Sequence, residues 1–282
     1  MIEGTYLVNI EYLKELPMPA VLHSHPNYEL FYFHEGGGNY LIGDHIYSLS
    51  PGDLILMHGM TLHCPNMDEK NKYVRTVVSF DPAYVRAISG KLFTIDPLEP
   101  FERHKNIRLQ LHGEDQQRVE SRLAEMNDCF HHKDPIAHNR FRLVFLEMLL
   151  DLYGLCAKPS MRKSEALTPK EQTVQKVVTW VEGHFAEQVS FDDIAAHMDL
   201  NKHYLSRVFR ELTGLTVFDY LYQRRINEAK IIFLLQDQVS VTEVCYRVGF
   251  NNLSHFSRMF KQRVGCTPDE YKRRRLINPL EH

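Results

Sequence analysis

The chain has no Cys-x-x-Cys pair, and its five cysteines (Cys64, Cys129, Cys156, Cys245, Cys266) are scattered and odd in number. That argues against a disulfide framework and for reduced thiols in a cytoplasmic protein. No apolar run approaches the ~20 residues of a membrane span, so no membrane partner is expected. The opening residues Met1-Ile2-Glu3-Gly4 show neither the basic nor the apolar region of a secretory signal. Neither charge sign is in large excess: the formal net charge is −3 over 282 residues. Any contact with nucleic acid must therefore come from the placement of charge, not from its bulk. With 44% hydrophobic and 24% charged residues, disorder is not the default, and the length suffices for two cores.

What is present divides the chain. Residues 1–165 hold 17 Lys and Arg against 22 Asp and Glu, whereas residues 166–282 hold 16 against 14. The basic residues of the second part cluster at Arg207/Arg210, Arg224/Arg225, Arg258/Lys261/Arg263 and Lys272 to Arg275. This part also contains a repeat. Leu205-Ser206-Arg207-Val208-Phe209-Arg210 leads to Gly214, and 51 residues on Phe256-Ser257-Arg258-Met259-Phe260-Lys261 leads to Gly265. Upstream, Ile194 to Leu200 precedes Val244 to Phe250 by 50 residues, so the extra residue falls in the turn between blocks. A small residue on one helix, a tight turn and a helix bearing Ser and Arg is the layout of a helix-turn-helix.

Start signals divide residues 169–279 into seven helices. Thr168-Pro169-x-Glu171, Ser190-x-x-Asp193, Ser240-x-x-Glu243 and Thr267-Pro268-x-Glu270 read as helix N-termini. Asn201, and either Asn251 or Asn252, would cap the two repeated helices. A long helix over about 217–235 joins the two units. Leu205, Val208, Phe209 and Leu212 form a buried stripe on the first repeated helix, with Lys202, His203, Ser206, Arg207 and Arg210 opposite. On the second, Phe256, Met259 and Phe260 are inward, and Asn252, Ser254, His255, Arg258 and Lys261 outward. These outward residues are the expected contacts to double-stranded DNA, with Arg207 and Arg258 foremost because an arginine fork fits guanine O6/N7.

Val248-Gly249-Phe250, Phe256 to Lys261, Gly265-Cys266-Thr267-Pro268 and Tyr271 resemble the signature of AraC-type transcription regulators, over residues 172–275. The resemblance implies two helix-turn-helix subdomains on a long connecting helix. Matched by position, it supports His203, Ser206 and Arg207, and Asn252, Ser254, His255 and Arg258, as DNA-facing. The first unit departs from the pattern, with Asp199 where the turn glycine should be; Asp reaches positive φ more readily than most residues.

The first hundred residues are rich in β-formers. Tyr28–His34, Tyr40–Ile42, His45–Leu49, Leu54–Met57 and Tyr73–Phe80 read as short strands. Glu35-Gly36-Gly37-Gly38, Gly43-Asp44, Pro51-Gly52-Asp53 and Cys64-Pro65-Asn66 read as turns. Such strands suggest an antiparallel barrel or jelly roll. From about residue 114 the period turns helical, with stripes at Val119/Leu123/Met126 and at Phe141/Phe145/Leu149/Leu152. These helices would cover the barrel, pair with a second subunit, or both.

His23-x-His25-x-x-x-Glu29, with Gly36, Pro51-Gly52-Asp53 and His63, is similar to the paired motifs of a cupin barrel, over residues 20–65. Three imidazoles and a carboxylate suit a divalent metal such as Zn, Ni, Mn or Fe. Sensor domains of AraC-type regulators often keep this pattern without a metal, so no cofactor is certain. Such sensors often answer sugars. The pocket would then combine His23, His25, Glu29 and His63 with the aromatic faces of Phe31, Phe33 and Tyr40; those aromatics are equally suited to plain core.

The expected architecture is α+β in two domains. Residues 1–156 form a cupin-like sensing and dimerisation domain, 157–168 a linker and 169–279 a double helix-turn-helix domain; 280–282 resemble a tag remnant. The expected function is that of a cytoplasmic, homodimeric transcription activator, not an enzyme. It would bind promoter DNA and RNA polymerase and answer a small-molecule effector, a carbohydrate. Two alternatives stay open: a metal-dependent cupin enzyme with a DNA-binding anchor, and a regulator controlled by metal or by a protein partner.

Overall fold

The computed structural model describes residues 7–15, 20–68, 72–90, 92–132, 134–158 and 167–277. Of the expected linker, residues 159–166 lie outside the described residues, as do 280–282. The first half contains strands β1 (Val8–Lys14), β2 (Tyr28–Glu35), β3 (Gly38–Ile42), β4 (His45–Ser48), β5 (Asp53–Met57), β6 (His63–Met67), β7 (Val74–Phe80) and β8 (Asn106–Gln110). They make a five-stranded sheet, β1-β7-β2-β5-β8, and a three-stranded sheet, β4-β3-β6, antiparallel throughout. Helices α1 (Pro82–Ser89), α2 (Glu99–His104), α3 (Gly113–His131) and α4 (Pro135–Ala157) complete this half.

The side-chain alternation of a strand sorts the apolar residues into three layers. Phe31 and Phe33 of β2, Tyr40 and Ile42 of β3, and Ile55 and Met57 of β5 fill the space between the sheets. Leu30, Tyr32, Leu54 and Leu56 point the other way, onto α3 and α4 through Val119, Leu123, Met126, Phe145 and Leu149. The two helical stripes therefore cover the larger sheet. On the outer face of the smaller sheet, Leu41 sits in register between Ile46 and Cys64. These three pack against the helical second half of the chain.

Cys64-Pro65-Asn66 is a strand and not the turn expected from its residue types. Its strand, β6, is the edge of the three-stranded sheet, bridged on its outer side at His63 alone among the described residues, so the missing N–H of Pro65 breaks no ladder. The structure also adds β1, β8, α1 and α2, which local pattern does not announce.

The second half holds α5 (Pro169–His184), α6 (Phe191–Met198), α7 (Lys202–Thr213), α8 (Val217–Leu235), α9 (Val241–Arg247), α10 (Leu253–Val264) and α11 (Pro268–Ile277). The start signals do what their chemistry requires. Thr168 and Glu171 make a capping box, as do Ser190 and Asp193. Asn201 caps α7, and of the two candidates Asn252 caps α10. We expect Thr168→Ala to cost about 1 kcal/mol by leaving helix amides unpaired; a thermal melt lowered by a few degrees would show it, and an unchanged melt would contradict it.

Helix α8 has two cores. Val217, Tyr220 and Leu221 pack with α5, α6, α7 and the smaller sheet. Ile226, Ala229, Ile232 and Phe233 pack with α9, α10 and α11. The first helix-turn-helix is thus continuous with the barrel, and the core of the second is built on α8.

Candidate DNA interface and effector site

Both repeated helices present their polar side outward. Leu205, Val208 and Phe209 of α7 are buried, while Lys202, His203, Ser206, Arg207 and Arg210 are exposed. Phe256 and Phe260 of α10 are buried, while Asn252, Ser254, Arg258 and Lys261 are exposed. His255 is half-buried, with its ring edge-on to Tyr222 and Phe250 at 5.7 and 5.5 Å. The Asn252 carboxamide oxygen accepts from the His255 amide, which leaves its NH₂ as the outward donor.

The basic clusters separate into two kinds. Arg224 pairs with Glu182 and Glu228, and Arg263 with Asp219. Arg225 is buried and donates to the carbonyls of Phe185 and Glu187, both at 2.6 Å. These arginines hold the domain together. Other pairs join Lys202 to Asp192 and Arg247 to Glu243; among the described residues Arg207 and Arg258 belong to no ion pair. Arg207 lies over the Tyr204 ring at 5.8 Å. The connecting helix of 19 residues is about 28 Å long, against ~34 Å between successive major-groove faces.

Where the segment before β2 meets β6 the structure gathers His23, His25, His63 and Glu29. One potential ligand nitrogen from each of the three imidazoles lies within 4.8 Å of the others. A backbone bridge, His23 N–H to His63 O at 3.1 Å and His63 N–H to His23 O at 3.0 Å, ties the segment before β2 to β6. Each imidazole turns Nδ1 to a backbone carbonyl: His23 to Val21 at 2.9 Å, His25 to Asn27 at 3.2 Å, His63 to Thr61 at 2.9 Å. A carbonyl can only accept, so each Nδ1 carries a proton, and the Nε2 atoms are left for the cluster. His25 Nε2 meets one Glu29 oxygen at 3.0 Å, and His63 Nε2 lies 3.7 Å from the other.

Burial pushes the His63 imidazole down to about 4, against the pull of Glu29, so it is neutral at pH 7. Burial also acts against a charge on His25, but the hydrogen bond and charge of Glu29 prevail and hold its pKa above the ordinary value. Glu29 is pushed up by burial and pulled down further by His25, His63 and His23, so it stays ionised. A neutral His63 with Nδ1–H aims its Nε2 lone pair at a carboxylate. A bridging water or a cation satisfies both acceptors, and three imidazoles with one carboxylate form a donor set for a divalent transition metal.

Phe31, Phe33 and Tyr40, grouped with this cluster on sequence, are fully buried behind it and packed together, Phe31 against Tyr40 at 5.0 Å between centroids.

Two families account for most of this architecture. Residues 20–133 match the AraC-like ligand binding domain, and residues 194–274 match a helix-turn-helix domain. The chain belongs to the AraC-type transcription regulators. Transcriptional activator RhaS of Enterobacter sp. (strain 638) is 25% identical over 255 residues, covering 90% of this regulator and 87% of RhaS. RhaS of Klebsiella pneumoniae (strain 342) is 24% identical over the same length. Among solved structures, the DNA-binding domain of AdpA, in complex with a target DNA, is 28% identical; the match covers 39% of this chain and 98% of that one, with a TM-score of 0.36. RhaS, matched over 90% of this chain, is a transcriptional activator, which sets aside the reading as a cupin enzyme. No described helix is long and apolar enough to cross a membrane.

Sequence reasoning missed Ser24, Asn227 and Lys230. Lys230 Nζ donates to Ser24 O at 3.0 Å and Oγ at 2.8 Å, and burial pushes its pKa down to about 8. In the sequence Lys230 reads as one more solvated residue on a helix, and nothing local marks Ser24.

Proposed function

We propose that this AraC-type regulator is a cytoplasmic activator that reads promoter DNA with α7 and α10 and answers a small molecule held by residues 1–156. Residues 169–279 are its DNA-binding domain. The observation that carries this reading is the pairing of two capped helices, fixed to one α8, each presenting an arginine that belongs to no ion pair among the described residues. Lys202, His203, Ser206, Arg207 and Arg210 face one stretch of DNA, and Asn252, Ser254, His255, Arg258 and Lys261 the next. The chain acts as a homodimer and recruits RNA polymerase. Exposed Ile136 and Leu143, seven residues apart along α4, favour a helical dimer contact within 114–155.

The effector is a carbohydrate, seated at His23, His25, Glu29 and His63. Imidazoles and a carboxylate, with His23 and His25 partly exposed, offer the donors and acceptors that sugar hydroxyls need. Phe31, Phe33 and Tyr40 form its floor. A gel-shift titration of the full chain on the DNA beside its own gene, with and without a sugar panel, tests the reading. We expect a sequence-specific shift that weakens steeply with salt and responds to one sugar. A shift indifferent to sequence would sink the DNA assignment. A thermal midpoint unmoved by every sugar would sink the carbohydrate assignment.

A second reading is favoured by the three imidazoles gathered within 4.8 Å of one another beside Glu29: a divalent metal held by His23, His25, His63 and Glu29. Bound there, it would supply a Lewis-acidic centre for effector hydroxyls or act as the signal itself.

A further inference from the structure

The His cluster lies beneath the DNA-binding half, not at a free end of the barrel. Ser24, between His23 and His25, is gripped by two residues one turn apart on α8. Its hydroxyl donates to Asn227 Oδ1 at 2.5 Å, and Lys230 Nζ reaches its carbonyl and hydroxyl oxygens. Asn227 Nδ2 also donates to Met60 O at 2.9 Å. Met60 N–H in turn donates to His25 O at 2.7 Å, and the next residue, Thr61, holds His63 through its carbonyl. One face of α8 therefore clamps both segments that carry the imidazoles. The contacts of Lys230 are to neutral oxygens, and among the described residues no carboxylate pairs with it.

We propose that a divalent cation in the His cluster and the docked position of α8 oppose each other, and that Lys230 makes them do so. This rests on the metal reading above. A dication exceeds the single charge of Glu29, which leaves the cluster net positive, one residue away from a partly buried ammonium. Repulsion between like charges grows as water is excluded. The Lys230–Ser24 contact is the one that yields, because an ammonium is easily rehydrated, whereas metal ligands are not easily replaced. Metal loading thus loosens α8 from the smaller sheet. Since α10 packs on α8 while α7 also packs on α5 and on the smaller sheet, the placement of one recognition helix relative to the other changes with it. By linkage, docking weakens metal binding by the factor by which metal weakens docking.

The test uses the full chain with Zn²⁺ as probe. Zn²⁺ affinity is measured by competition with a chelator for wild type, Lys230→Met, Lys230→Arg and His63→Ala. Alongside it, amide exchange is followed at Ile46, whose N–H is bonded across the interface to Gln175 Oε1 at 3.1 Å. We expect Lys230→Met to bind Zn²⁺ at least about fivefold tighter, Lys230→Arg to match wild type, and His63→Ala to lose the site. Zn²⁺ should speed Ile46 exchange in wild type and not in Lys230→Met. Zn²⁺ bound equally by wild type and Lys230→Met, with Ile46 exchange unmoved, overturns the opposition but leaves the metal site standing. No Zn²⁺ binding by wild type or Lys230→Met overturns both.

Discussion

Arg258→Ala weakens binding to the cognate promoter by roughly ten- to a hundred-fold and relaxes the preference at one base pair. The basis is geometric. Asn252 fixes where α10 begins, and Phe256 and Phe260 fix its rotation about its own axis. Arg258 stands one turn beyond Ser254 on the outward side, in no ion pair among the described residues. A bidentate arginine–guanine contact discriminates by about 1–3 kcal/mol, which gives the stated range at about 1.4 kcal/mol per decade. Arg207→Ala has the same effect at the other half of the site, since α7 presents it in the equivalent register. Lys261→Ala separates base reading from charge: loss of a phosphate contact weakens all sequences alike and lowers the salt slope by about one. Gel-shift titrations on a panel of single-base promoter variants measure all three. Unchanged affinity in both arginine variants would mean that the two helices do not read DNA.

The division into a β-rich half and a seven-helix half was legible because it rests on local chemistry. Thr168, Ser190, Asn201, Ser240 and Asn252 announce helix starts within a few residues of themselves, and the short β-forming runs between turn signals announce the strands; that Leu30 and Tyr32 bury a second face against α3 and α4 is visible only in the fold. What local chemistry cannot show is pairing across the chain. Strand β8 is defined by its bonds to β5, some fifty residues earlier, and β1 by its bonds to β7. The arginines illustrate the limit. Arg224 and Arg225 look as basic as Arg207, yet Arg225 closes the end of α5 while Arg207 faces outward. Only the rotation of each helix against its neighbours decides which is which. The His cluster was half legible: the spacing His23, His25, Glu29 nominated it and His63 completed it. The location of that cluster against Asn227 and Lys230, two hundred residues away, was not.

Gly249→Ala should be among the most damaging single changes in the DNA-binding half, costing about 3 kcal/mol, whereas Asp199→Gly should stay within about 1 kcal/mol of wild type. The two positions are equivalent. The Asp199 amide donates to Ala196 O and Leu200 N–H to Ala195 O; the Gly249 amide donates to Tyr246 O and Phe250 N–H to Cys245 O. Both residues have positive φ, 52° at Asp199 and 89° at Gly249. Their surroundings differ. Asp199 is exposed, and its side chain has room. A Cβ on Gly249 would meet the carbonyl oxygens of Phe185 and Ala186 at 2.8 Å. Those oxygens cannot retreat cheaply, because buried Arg225 holds the Phe185 carbonyl, and Gln188 Nε2 donates to Gly249 O itself at 3.2 Å. The left-handed backbone costs alanine about 1–2 kcal/mol, and forcing the neighbouring backbone aside adds a comparable amount. Thermal denaturation measures the difference: a drop on the order of 10 °C for Gly249→Ala, and little change for Asp199→Gly. The first turn therefore tolerates Asp where the second requires Gly, because only the second is pressed against the end of α5. Equal melting points for the two variants would show that this close approach does not constrain the turn.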